Sequence, residues 1–102
     1  AKLMVLHAAY KIDRGDDFKS EVSMAKHFVA NSLNRIIDRA IQVHGALGYS
    51  TDTPLAGMFQ HARWARFADG ADEIHQMRIA QRTIAAYKDF GTTKAATGDL
   101  PI

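Results

Sequence analysis

Apolar residues recur every three or four positions over most of this chain, a spacing that predicts helices rather than strands. The longest such stretch is residues 18–46, where the recurrence predicts one long helix with a single apolar face. That face comprises Phe18, Val22, Ala25, Val29, Leu33, Ile36, Ala40 and Val43. Residues 1–14 are apolar on more than one side, which is typical of a helix with several neighbours.

Two more helices are predicted in the second half of the chain. Thr53 as N-cap and Pro54 as first helical residue predict a short helix that runs to about Arg66. The last helix is predicted from about Asp72 to Lys88. Its apolar face comprises Ile74, Met77, Ala80, Ile84 and Tyr87.

Glycines mark the predicted ends of these helices, at Gly15, Gly45, Gly48 and Gly91. No segment has the strict alternation of a strand. We therefore predict an all-α fold, an antiparallel helical bundle over residues 1–91, followed by a frayed tail over residues 92–102.

Composition narrows the function classes. A chain of 102 residues forms one domain at most, and 47% apolar with 24% charged residues is typical of a globular protein. The absence of cysteine excludes disulfides and thiolate metal sites, and the five histidines lack metal-binding spacing. A net charge of +2 indicates no nucleic-acid surface, and no apolar run approaches the roughly 18 residues of a membrane span.

The sharpest candidate for chemistry is the segment Asp69-Gly70-Ala71-Asp72-Glu73. Asp69 can act as a general base at a corner between two helices. The alternative interpretation is that Asp72 caps the last helix and Asp69 is a solvated turn residue. The local sequence alone favours that alternative.

A second candidate is the turn around Gln42, Gly45 and Gly48. Glycines allow a ligand to approach the backbone, and Gln42 offers an amide donor and acceptor. The alternative is an ordinary glycine helix stop. Arg63 and Arg66 share one face of the short helix, where they either hold an anion or form a solvated surface.

The ordered series of motifs resembles the C-terminal α-domain of the acyl-CoA dehydrogenase family, from Ala1 to about Lys88. Asp38-Arg39-Ala40-Ile41-Gln42-Val43-His44-Gly45 is similar to the long helix that leads into that family's glutamine–glycine turn. Arg63-Trp64-Ala65-Arg66-Phe67-Ala68-Asp69-Gly70 is similar to its basic helix and catalytic corner. Glu73-Ile74-His75 and Ile79-Ala80-Gln81-Arg82 resemble the helix that follows.

The resemblance implies roles for individual residues at the corner. Asp69 stands where many members have the glutamate that removes the α-proton of an acyl-CoA while a flavin accepts the β-hydride. Ala71 replaces the usual threonine, so a hydroxyl contact to the flavin cofactor is lost. Glu73 stands where a glutamine often contacts the cofactor, and it keeps an acceptor but no amide donor.

The resemblance also implies a cofactor-binding turn and missing partners. Gln42 and Gly45 match the turn that contacts the ADP part of FAD bound mainly by a neighbouring subunit, and Ala46 replaces the family's second glycine. The chain then represents part of a larger homo-oligomeric enzyme, and an N-terminal helical domain and a β-domain precede it. The apolar start without a cap residue or Met agrees with this expectation.

The sequence therefore predicts part of an FAD-dependent acyl-CoA dehydrogenase that is inactive in isolation and self-associates through uncovered apolar faces. Such an enzyme is expected in the cytoplasm of a bacterium, or in the mitochondrion or peroxisome of a eukaryote. Two alternatives remain open: a small non-enzymatic helical interaction domain, and a related flavin monooxygenase or acyl-CoA oxidase.

Overall fold

The structure, a computed structural model, describes residues 1–91, and all regular structure in that range is helical. The elements are α1 (Lys2–Asp13), α2 (Lys19–His44), α3 (Ala46–Tyr49), α4 (Leu55–Trp64) and α5 (Asp72–Phe90). The all-α prediction is confirmed, and the predicted tail lies outside the described residues. Within residues 1–91, every helix is too short or too polar to span a lipid bilayer.

Glycines end three of the helices, as predicted, with φ of +73° at Gly15, +61° at Gly45 and +66° at Gly91. The predicted continuation of the long helix to residue 46 is wrong, because Gly45 interrupts it and α3 follows. Gly48 is not a stop. It lies inside α3, where an added Cβ would meet the Ile41 carbonyl oxygen at 2.8 Å. A close approach of two backbone segments therefore requires glycine at this position.

The start of α4 differs from the prediction by one residue. The Thr53 hydroxyl donates to the Leu47 carbonyl at 3.5 Å instead of capping the helix. The carbonyl of Pro54 accepts the first helical hydrogen bond, from the N–H of Met58 at 3.0 Å. Proline thus takes the cap position, and α4 ends at Trp64, two residues before the predicted end.

The chain divides into two compact units: residues 1–27 together with those from Asp72 onward, and residues 28–71. The first unit contains α1, the beginning of α2, and α5. Lys11, near the end of α1, pairs with Glu21, near the start of α2, at 2.7 Å. On α2 and α5, Ser20 lies beside Arg82 and His27 beside Asp72, so these two helices run antiparallel, as the sequence predicted.

Small and polar side chains fill the interior of the first unit. Its buried residues are Ala8, Ser20, Glu21, Ser23, Ala25, Asp72, His75 and Ala86. Small residues let helix backbones approach one another closely, so these helices meet through their small and polar positions.

The predicted apolar faces lie mostly outside. On α5, Ile74 is 40% exposed and Tyr87 is 64% exposed, while Asp72 and His75 on another face are buried. On α2 the exposed fraction of the predicted face runs from 7% at Ala25 to 84% at Val43. The apolar residues share a face on each helix, but within residues 1–91 most of that face is exposed.

In the second unit, Asn34 attaches α4 to α2. Its Nδ2 donates to the carbonyl oxygens of Ala30 and Ala62, both at 2.7 Å. Ala62 is 1% exposed, so α4 lies against α2 at a position that only a small side chain can occupy. α3 also packs against α4. These contacts fix the end of α4, from which the candidate corner continues.

Candidate functional site

The corner after α4 is built on two consecutive residues with left-handed backbone. Asp69 has φ of +55° and Gly70 has φ of +100°. Aspartate is one of the few residues besides glycine that enters this region readily, because its short side chain can hydrogen-bond locally. The side chain of Asp69 is exposed, and α5 begins three residues later at Asp72.

The second acid of the corner has a different environment. The Asp72 side chain is 4% exposed, and its Oδ1 lies 3.4 Å from Nδ1 of His27 on α2. Nε2 of the same imidazole lies 3.5 Å from Nε2 of Gln76 on α5. His27 thus joins α2 to the first turn of α5. No local motif in the sequence links His27 to Asp72, because the two residues are 45 positions apart.

Ala71 and Glu73 stand beside the two acids. Ala71 is partly buried and offers no side-chain polar group. Glu73 is exposed in the first turn of α5, where the partial positive charge of a helix N-terminus favours a carboxylate. A stabilising role at the helix end therefore accounts for an acid at this position, in addition to the cofactor contact that the sequence predicts.

The glycine turn is a second, separate feature. The N–H of Gly45 donates to the carbonyl of Gln42 at 3.2 Å, and φ of +61° with ψ of −142° is accessible mainly to glycine. A Cβ added to Gly45 would meet nothing within 4 Å. Gln42, Gly45 and Ala46 are all exposed. The turn thus presents an amide side chain and open backbone to an incoming group.

These features suit a flavin cofactor held mainly by another chain. Open space at Gly45 admits a ligand close to the backbone, and the Gln42 amide can donate and accept hydrogen bonds. α3 and α4 separate this turn from the Asp69 corner along the chain.

The other candidate binding residues have less support from the structure. The Arg63 guanidinium lies 5.9 Å from the centre of the Phe67 ring, and a joint anion site with Arg66 stays a prediction. His44 is exposed, with Nδ1 2.8 Å from the Ala40 carbonyl oxygen. Over residues 1–91, no cluster of three or more His, Asp or Glu residues could hold a metal ion.

Comparison with known proteins gives one consistent family. The family model described as "Acyl-CoA dehydrogenase, C-terminal domain" matches residues 1–84. A 3-(aryl)acrylate reductase of Clostridium sporogenes is 39% identical over 82% of this chain and 22% of its own length. Acyl-CoA dehydrogenase family member 10 of Mus musculus is 45% identical over 79% of this chain and 8% of its own length.

A probable acyl-CoA dehydrogenase, FadE2, of Mycobacterium tuberculosis is 40% identical over 86% of this chain and 22% of its own length. The chain thus spans about a fifth or less of these relatives. No solved structure matches it.

Proposed function

Because this chain belongs to the acyl-CoA dehydrogenase family, as a C-terminal domain, we propose that it supplies the catalytic base of an FAD-dependent enzyme acting on acyl-CoA. The parent enzyme introduces a double bond between the α- and β-carbons of the thioester. The observation that carries the proposal is the left-handed corner that exposes Asp69 between α4 and α5.

In this mechanism the Asp69 carboxylate accepts the α-proton of the substrate. Bound FAD supplies the hydride acceptor for the β-carbon. An aspartate reaches about 1.5 Å less far than a glutamate, and positioning errors of that size matter for proton transfer. Asp69 is exposed and has a left-handed backbone, and the substrate pose or the backbone of the corner must compensate for its shorter side chain.

The proposal includes a cofactor contact at the glycine turn across a subunit boundary. Gln42 is exposed and forms no side-chain hydrogen bond with the described residues, so its amide is available to a neighbour. The exposed apolar faces of α1, α2 and α5 also favour assembly into a homo-oligomer, since burial of apolar area stabilises by about 25 cal/mol per Å².

The proposed compartment is the cytoplasm of a bacterium, or the mitochondrion or peroxisome of a eukaryote.

Replacing Gln42 by Ala is expected to weaken FAD retention by the assembled enzyme about 10- to 100-fold, because loss of one hydrogen bond to a charged group costs about 1.5–3 kcal/mol. Flavin release during gel filtration measures this. Gln60→Ala, an exposed position on α4, is the matched control. Unchanged FAD retention in the Gln42 variant would show that the turn does not contact the cofactor. Gly45→Val is less informative, because it also strains the backbone.

The test of the proposed function is anaerobic flavin reduction. The full-length enzyme that contains this segment is mixed with a panel of saturated acyl-CoA thioesters, including an aryl-substituted one because a relative is named for aryl acrylates. Bleaching of the flavin without added NAD(P)H supports a dehydrogenase. Bleaching that requires NAD(P)H favours a monooxygenase. Rapid reoxidation of the reduced flavin when air is then admitted favours an acyl-CoA oxidase. A protein without flavin would support the interaction-domain alternative.

A further inference from the structure

A cavity of about 520 Å³ lies between the beginning of α2 and the middle of α5, within the first unit. Ser23 and His75, each 4% exposed, line it as its most deeply buried residues. Phe18 and Val22, each 39% exposed, provide an apolar wall. The volume falls within the range of pockets that bind small organic molecules. None of these residues belongs to the Asp69 corner or the Gln42 turn.

Positive charge surrounds this cavity. Lys19, Arg78 and Arg82 all line it. Arg82 is already occupied, because its Nε donates to Ser20 Oγ at 2.7 Å and its Nη2 donates to the carboxylate of Asp17. The Lys19 backbone N–H, followed by Arg82, holds the pKa of the Asp17 carboxyl below its usual value. Asp17 is therefore ionised at neutral pH, and its negative charge offsets the positive charge of Arg82.

Arg78 has no such partner. Among the described residues, no hydrogen bond, ion pair or ring contact involves its guanidinium. Lys19, the first residue of helix α2, also lines the cavity. The cavity thus combines the unpaired guanidinium of Arg78, the ammonium group of Lys19 and an apolar wall.

We propose that this cavity binds an organic anion, a carboxylate or phosphate group on a short apolar chain. The acidic head group pairs with Arg78 and Lys19, and the apolar chain lies against Phe18 and Val22. Arginine binds a carboxylate or a phosphate in the same bidentate geometry, so both head groups fit the chemistry of this site. The inference does not depend on the proposed dehydrogenase function, since it uses none of the residues of that mechanism.

The experiment is calorimetric titration of the 102-residue chain with octanoate, octyl phosphate and octan-1-ol. We expect one-to-one binding of at least one of the two anions and no measurable binding of the alcohol. Binding of octanoate alone identifies a carboxylate site, and binding of octyl phosphate alone identifies a phosphate site. Equal binding of octan-1-ol would overturn the proposal, because the cations would then contribute nothing.

Arg78→Gln is expected to weaken anion binding at least about tenfold, the loss of one charge-assisted hydrogen bond. Arg39→Gln removes the same charge from an exposed position on α2 outside the cavity, and it controls for the change in net charge. Val22→Ser tests the apolar wall and is expected to weaken octanoate binding. Equal affinities for Arg78→Gln and Arg39→Gln would contradict the assignment, as would the absence of anion binding at millimolar concentration. Binding of an acidic peptide in place of both small anions would also reject it, and would identify a protein partner.

Discussion

Replacing Asp69 by Asn is expected to lower kcat of the full-length enzyme by about 10²–10⁴-fold, the usual contribution of a general base. Asparagine keeps the size of the side chain and tolerates the left-handed backbone that Asp69 adopts at φ of +55°. It cannot accept the proton. The variant should therefore retain FAD and the fold of the corner while it loses the chemical step. Rapid mixing with acyl-CoA, followed by the rate of flavin bleaching, measures that step directly.

Two further variants separate catalysis from structure. Asp52→Asn changes another exposed acid in a turn and is expected to leave the bleaching rate unchanged. Asp69→Glu restores a carboxylate of the length that the resemblance associates with the family, and we expect it to retain most of the activity. If Asp69→Asn bleaches flavin as fast as the Asp52 variant, the base lies elsewhere and the proposed role of the corner is wrong.

Replacing Lys11 by Met is expected to destabilise the chain by about 3–5 kcal/mol, the cost of leaving a buried charge without its partner. Lys11 Nζ lies 2.7 Å from Glu21 Oε1, and the two side chains are 15% and 2% exposed. The other carboxylate oxygen of Glu21, Oε2, is buried and has no hydrogen-bond partner among the described residues. Without Lys11, little would offset the desolvation of this carboxylate. Chemical denaturation followed by circular dichroism measures the free energy of unfolding.

The double variant Lys11→Met with Glu21→Leu distinguishes the lost pair from lost packing. Replacing both partners by apolar groups of similar size is often nearly neutral, so we expect it to recover most of the stability. Lys2→Met, at an exposed position of the same helix, is expected to change stability by less than about 0.5 kcal/mol. A Lys11 variant as stable as the Lys2 variant would show that Glu21 does not need its partner.

The helices and their ends could largely be predicted from the sequence, because spacing and glycine chemistry are local. Gly15, Gly45 and Gly91 adopt the backbone that their positions suggested. Gly48 shows the limit of that reasoning, since its requirement comes from the Ile41 carbonyl and not from its own backbone. A contact across space leaves no periodic signal in the sequence.

For the same reason, the sequence could not predict which face of each helix is buried. Periodicity shows that Ile74 and Met77 share a face, but not whether another segment covers it. The pairs that join the first unit, Lys11 with Glu21 and His27 with Asp72, connect residues 10 and 45 positions apart. At the candidate site, the corner and the turn were identifiable from their glycines, whereas the contact of the buried Asp72 with His27 was not.

The small side chains between the helices have a consequence for how this domain tolerates sequence change. At Ala62 and Ala86, which are 1% and 6% exposed, a larger side chain must displace the residues packed around it. At Ile84 and Tyr87, which are more than half exposed, a polar residue leaves the isolated chain intact. We therefore expect the two sets of positions to tolerate different substitutions. The alanines are expected to matter for folding, and the outward isoleucine and tyrosine for contacts with neighbouring segments.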